Sequence, residues 1–186
     1  RPLMFDNTGR ELIIQLPGDS PAGEAWQLFI DYSVTNPATG LHFFGPSKAA
    51  PRQPLMVWSH GEPTSNRYWF PSQDHPNERQ STEIVATVPD ESFECLSNGQ
   101  LLSREKQADG RVRFHWRQKR PHVSYLVTLV VGRFAVTRDK WRGRPVVYYV
   151  PPGRAGDTRR TFGRTVEMLD FFSDTFGIEY PWEKYA

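Results

Sequence analysis

Apolar and polar residues alternate in short runs through the first 150 positions of the chain. Trp26, Leu28, Ile30, Tyr32 and Val34 are separated by mostly polar residues. That period of two marks a strand with one face turned inward. Ile84, Ala86 and Val88 repeat the pattern, as do Val112, Phe114 and Trp116. Further strand-like runs cover 11–16, 41–44, 55–59, 125–131 and 145–150. Turn residues lie between them. Asn98-Gly99 and Asp109-Gly110 suit tight hairpin turns, because both members of each pair tolerate positive φ. Many short strands at a spacing of roughly 8–12 residues predict a mainly β fold, an antiparallel sandwich or a large curved sheet.

The period changes after Val150. Pro151-Pro152-Gly153 cannot continue a strand, and 154–160 is polar and contains Gly156, so 151–164 is expected to be a linker. Leu169, Phe172 and Phe176 then fall at i, i+3 and i+7, with Met168 and Phe171 beside them. This predicts one amphipathic helix over 165–177. Thr165 is the expected N-cap, Glu167 suits the first turn, and Gly177 is the stop. A lone amphipathic helix after an all-β domain must pack on something. It either folds back on the sheet or opens another domain, and the second is expected here. The division predicted is 1–150, 151–164 and 165–186.

Composition narrows the function classes. The chain has 186 residues, 38% hydrophobic and 24% charged, with a net charge of +2. Lys and Arg are scattered among Asp and Glu, so no nucleic-acid partner is expected. No apolar run approaches the ~18 residues of a membrane-spanning helix. Cys95 is the only cysteine, so no internal disulfide forms; a cytoplasmic setting fits, as does secretion without disulfides. The opening Arg1-Pro2-Leu3 and the closing Tyr185-Ala186 both read as cuts through a longer chain.

The chemistry-bearing residues are sparse. His42, His60, His75, His115 and His122 contain no pair at the spacing of H-E-x-x-H. Zinc needs three or four convergent ligands, so no metal site is expected in this chain. Ser59, His60 and Asp74 are near in sequence, but no G-x-S-x-G elbow accompanies them. Gly61-Glu62-Pro63 lacks the Lys-Ser/Thr of a phosphate loop. The unusual stretch is 58–79, which mixes aromatics, prolines and charges of both signs without periodicity. Long irregular segments inside compact domains are functional or packed as ordered loops.

That stretch resembles M1 metallopeptidases, the aminopeptidase N and leukotriene A4 hydrolase family. Their N-terminal domain carries a run of the form Q-x-[QE]-A…R…F-P-x-x-D-x-P followed by a strand. The similar positions here are His60, Glu62, Arg67, Phe70-Pro71, Asp74 and Pro76. The strand over 83–89, Ser97-Asn98-Gly99, Tyr125-Leu126, Val131-Gly132-Arg133-Phe134 and Gly40-Leu41-His42-Phe43 resemble later and earlier family segments in consistent order. Tyr180-Pro181-Trp182-Glu183-Lys184-Tyr185 resembles the lead into the catalytic domain. Three positions depart from the pattern: His60 where Gln is usual, Pro63 for a small residue, and Ser72 where Cys is common.

The resemblance implies an M1-like N-terminal β-domain, its first strands preceding Arg1, and the start of a zinc catalytic domain at 165–186. Zinc is implied for the full-length protein and not for this chain, which alone should be inactive. Peptides with a free N-terminus are the implied substrates, and the protein's own catalytic domain the implied partner. Glu62 is placed where the family reads the substrate's α-ammonium, with His60 and Gly61 beside it as substrate-binding positions. Arg67 and Asp74 are assigned to holding the loop through charge-assisted hydrogen bonds. The alternative is a non-catalytic M1-like scaffold for protein–protein interaction, as in relatives from the transcription machinery that lack the zinc ligands.

Overall fold

A computed structural model describes residues 2–9, 11–19, 21 and 23–186. They fall into two compact units, residues 1–35 and 36–186.

Among its described residues the first unit contains one hairpin. β1 (Phe5–Asn7) pairs antiparallel with β2 (Leu12–Ile14), Phe5 opposite Ile14. Its turn is tied by Glu11 N donating to Thr8 Oγ1 at 3.0 Å and Gly9 N donating to Asn7 Oδ1 at 3.0 Å. The strand expected over 26–34 is not formed. The segment joins no ladder among the described residues, and Trp26, Leu28, Ile30, Tyr32 and Val34 are all exposed. Alternation supplies a face, but a strand also needs a neighbour for its N–H and C=O groups.

The second unit is antiparallel β. In chain order its strands are β3 (Gly40–Phe44), β4 (Met56–His60), β5 (Arg79–Val88), β6 (Glu94–Ser97), β7 (Gln100–Lys106), β8 (Val112–Val123), β9 (Leu129–Gly132), β10 (Ala135–Trp141) and β11 (Arg144–Val150). One sheet runs β3-β4-β9-β6, a second β5-β8-β7, and β10-β11 form a separate hairpin. The predicted alternation of β8 is realised: Val112, Phe114 and Trp116 are buried, and Arg113 and Lys119 point outward. These three meet Val88, Phe93 and Cys95, with Leu129 and Val131 against them, so the core lies between the two larger sheets. Trp116 Nε1 donates to Cys95 O at 3.1 Å, which satisfies the one polar atom of the indole. Burial pushes the Cys95 thiol up to about 12, so it packs as a small apolar side chain.

The two expected hairpin turns behave differently. Asp109-Gly110 does join β7 to β8, with Gly110 at φ 88° and Arg111 N donating to Asp109 Oδ1 at 3.1 Å. Asn98-Gly99 is not a hairpin turn. β6 pairs with β9 and β7 with β8, so the dipeptide carries the chain from one sheet to the other. Asn98 pins that corner: its Nδ2 donates to Leu126 O at 2.8 Å, and Thr128 N donates to its Oδ1 at 2.6 Å. A tight turn not foreseen in the sequence, Arg142-Gly143, closes β10-β11 with φ of 43° and 83°. The run 125–131 is only half strand, since Ser124–Leu126 is a 3-10 turn and β9 starts at Leu129.

Residues 151–164 are mostly helical: a 3-10 segment, Pro152–Asp157, leads into α1 (Thr158–Phe162). α2 (Thr165–Phe176) follows and stops at Gly177, φ 65°. Its N-cap is Arg164, not Thr165, whose hydroxyl instead donates back to Phe162 O at 2.7 Å. One stripe of α2 folds back on the hairpin, where Leu169 and Val166 join Trp141, Val146, Tyr148 and Tyr180. Arg142 fastens this contact to Asp170, Asp174 and Glu179 at 3.0, 2.9 and 3.2 Å. The neighbouring stripe of Met168, Phe171, Phe172 and Phe176 is exposed, so only part of the apolar face is used. The chain then returns alongside β11, Val147 N donating to Tyr185 O at 2.9 Å and Tyr185 N to Pro145 O at 3.0 Å.

Candidate functional site

The irregular stretch begins where β4 ends. His60 is its last residue and is exposed. Gly61 is buried, and a Cβ there would press into the Asn66 amide and come within 2.7 Å of Tyr125 O. Only glycine fits so close an approach. Ser65 N donates to Gly61 O at 2.7 Å, closing a turn that pushes Glu62 and Pro63 out to the surface.

Two buried polar side chains hold this turn. Asn66 is fully buried, and its Nδ2 donates to Ser124 O at 2.6 Å and Val127 O at 3.3 Å. Its Oδ1 accepts from Trp69 Nε1 at 2.7 Å. Asp74 is 6% exposed and accepts from Arg67 N at 3.0 Å, Arg67 Nε at 3.3 Å and Ser124 Oγ at 2.6 Å. Arg67 Nη2 also donates to Asp74 O at 2.6 Å. A buried carboxylate with three donors is well satisfied and rigid. Arg67 and Asp74 thus bracket the Phe70-Pro71 turn and fasten it to Ser124.

The residues assigned to substrate are not brought into one polar cluster. Glu62 is exposed and makes no hydrogen bond or ion pair among the described residues. His60 stands with its ring 6.2 Å from Trp58, which stacks on His42 at 4.7 Å across β3-β4. What the geometry provides is an outward carboxylate on a turn whose flanks are locked. Asn66 and Ser124 were missed in the sequence, since a lone Asn or Ser in a loop carries no periodic signal. Gly40 was seen only as part of a motif; at φ 83° it lets the Ser65 carbonyl pass against β3, and a Cβ would collide with it. Ser72 Oγ is buried without a partner.

Among the described residues no three His, Cys, Asp or Glu side chains come together as a metal cage. No helix is long and apolar enough to cross a membrane.

Transcription initiation factor TFIID subunit 2 of Drosophila melanogaster is 27% identical over 97% of this chain, which spans 15% of that protein. Glutamyl aminopeptidase of Bos taurus is 32% identical over 66% of the chain, 13% of its own length. Aminopeptidase 2 of Candida albicans is 28% identical over 98% of the chain and 20% of its own length. The chain thus spans a fifth or less of each of these relatives. Residues 2–126 match the Peptidase M1 N-terminal domain, and the chain belongs to the M1 peptidase family.

Proposed function

We propose that this chain is the substrate-recognition and scaffold portion of a zinc-dependent aminopeptidase, with Glu62 facing the α-ammonium of a peptide. The observation that carries this reading is the Glu62 carboxylate itself. It is exposed and unpartnered, yet it sits next to Gly61 on a turn anchored by buried Asn66 and Asp74. A free carboxylate held in place is ready to pair with a cation brought to it, at little cost in ordering. His60 and Gly61 form the wall beside it. In this reading residues 165–186 begin the catalytic domain, which packs on the exposed aromatic stripe of α2. Zinc, and the water it would activate, belong to that domain.

Glu62→Ala in the full-length protein tests the assignment. Loss of a charge-assisted hydrogen bond costs roughly 1.5–3 kcal/mol. That is about 10- to 150-fold in kcat/KM on free-amine substrates. N-acetylated peptides should be equally poor with wild type and variant. Full activity of Glu62→Ala on free-amine peptides would refute the role. The 27% identity with a transcription factor subunit over 97% of the chain favours one other reading, a non-catalytic scaffold. A full-length protein that retains no zinc and cleaves no aminoacyl anilide supports that alternative.

A further inference from the structure

Away from the 60–76 loop, a cavity of about 230 Å³ lies where the 180–186 segment crosses the sandwich. Ser97, Asn98, Gln118, His122, Trp182 and Lys184 are among the residues around it. The volume is well above the ~30 Å³ that one water occupies in the liquid. Lys184 sets its chemistry. The side chain donates from Nζ to Ser97 O at 2.6 Å and lies 4.9 Å from the centre of the Trp116 ring. Among the described residues no carboxylate forms an ion pair with it. Lys48, Lys106, Lys119 and Lys140 are all exposed, and Lys106 pairs with Glu91 at 3.0 Å.

Lys184 is therefore held in one place beside open space, and no carboxylate pairs with it directly, Glu183 acting only through space. Desolvation pushes its amine down to about 8, with the charge of Glu183 pulling weakly the other way. Glu183 Oε2 is itself buried without a hydrogen-bond partner. An amine desolvated in such a pocket is an activated nucleophile.

We propose that Lys184 is a site of covalent acylation, its amine attacking small activated acyl compounds such as acyl phosphates that enter this cavity. In the step, the nitrogen lone pair forms a bond to the carbonyl carbon. The carbon–oxygen bond to phosphate breaks, and phosphate leaves with that electron pair and takes up the proton the nitrogen gives up. The product suits its surroundings. An amide is neutral where burial disfavours charge, and its N–H keeps one donor for Ser97 O.

The full-length folded protein, incubated with acetyl phosphate at pH 7 and digested for mass spectrometry, tests this, with urea-denatured protein as reference. At pH 7 roughly a tenth of an amine titrating near 8 is neutral, about 200 times the fraction of an ordinary lysine. Lower intrinsic nucleophilicity takes back part of that advantage. Lys184 is expected to acetylate at least roughly 10-fold faster than Lys48 or Lys119 in the folded protein, and no faster in urea. Glu183→Gln, which removes the charge favouring the ammonium, should raise the Lys184 rate at pH 7. Equal or slower acetylation of Lys184 in the folded protein, a preference that survives in urea, or a slower rate in Glu183→Gln would each overturn the proposal.

Discussion

Replacing Asn66 by alanine measures how firmly the candidate site is held. The side chain is fully buried and makes three hydrogen bonds. Their loss is not equally costly. Ser124 O also accepts from Val127 N at 2.9 Å, so it stays paired. Trp69 is only half-buried, so its Nε1 can turn to water. Val127 O loses the Asn66 donor in a site where no side chain replaces it, which costs about 1–3 kcal/mol. The space left by the amide adds about 1 kcal/mol. The total is about 2–4 kcal/mol, or ~4–16 °C in the midpoint of thermal unfolding for a domain of this size. The assay is thermal denaturation of the full-length protein, followed by a probe that reports the β-domain. Asn66→Asp discriminates the mechanism. It keeps an acceptor for Trp69 but turns a carboxylate oxygen toward two carbonyls, so at neutral pH it should be at least as damaging as alanine. A midpoint shift below ~2 °C for Asn66→Ala, or a milder effect of Asn66→Asp, would refute this account of the loop.

Two further outcomes follow from the same reasoning. His122 is buried, with Nδ1 toward Val123 O at 3.1 Å and Nε2 toward Thr82 Oγ1 at 2.9 Å; the carbonyl can only accept, so Nδ1 carries the proton in the neutral ring. Desolvation lowers its pKa below the ordinary 6.5, outweighing the Val123 bond and Glu183. The unfolded chain therefore binds a proton that the fold resists, and this contribution to stability is lost as pH falls from about 6.5 through the lowered value. The stability difference between wild type and His122→Gln should shrink from pH 7 to pH 5, and a constant difference would contradict the assignment. Gly99 and Gly110 both have positive φ, 74° and 88°, but a Cβ meets nothing at Gly110 and runs into the Arg117 carbonyl at Gly99. Gly110→Ala should cost about 1–2 kcal/mol and Gly99→Ala distinctly more by urea unfolding, whereas equal costs would mean that the corner yields.

The part of the fold that the sequence reveals is the part governed by period. Val112, Phe114 and Trp116 announce a half-buried strand, because a pleated strand turns every second side chain to one face. Leu169 with Phe172 and Phe176 announces a helix for the corresponding reason at period 3.6. Neither period says what the face meets. Trp26 to Val34 alternate as cleanly as β8, yet they join no ladder among the described residues. Leu169 is buried on the hairpin while Phe172 and Phe176, on the same predicted stripe, are exposed. Asn98-Gly99 shows the limit at a turn, since the φ it needs is readable but the sheet each flanking strand joins is decided by distant partners.

The loop is legible in a different way. Its charged pair, Arg67 and Asp74, could be joined on paper because opposite charges bracketing a Phe-Pro turn have few other ways to be satisfied. Asn66 and Ser124 could not, because they act through backbone carbonyls and a shared carboxylate that are brought near by β9 and the turn before it. This division has a consequence for Glu62. Apart from Ser72, whose hydroxyl has no partner, the buried polar side chains of the loop hold the loop in place, Asn66 on Ser124, Val127 and Trp69, and Asp74 on Arg67 and Ser124. Among the described residues Glu62 and Glu78 are the carboxylates of this stretch without a side-chain bond, and Glu62 is the one beside Gly61, whose missing Cβ lets the Asn66 amide come in beneath the turn. Gly61→Ala should then act on Glu62 through the turn they share. On the proposed role of Glu62, it should lower kcat/KM on free-amine peptides in the full-length protein, through displacement of the turn, while Glu62→Ala combined with it adds little further loss. Independent, additive losses would mean that the two residues do not serve one rigid turn.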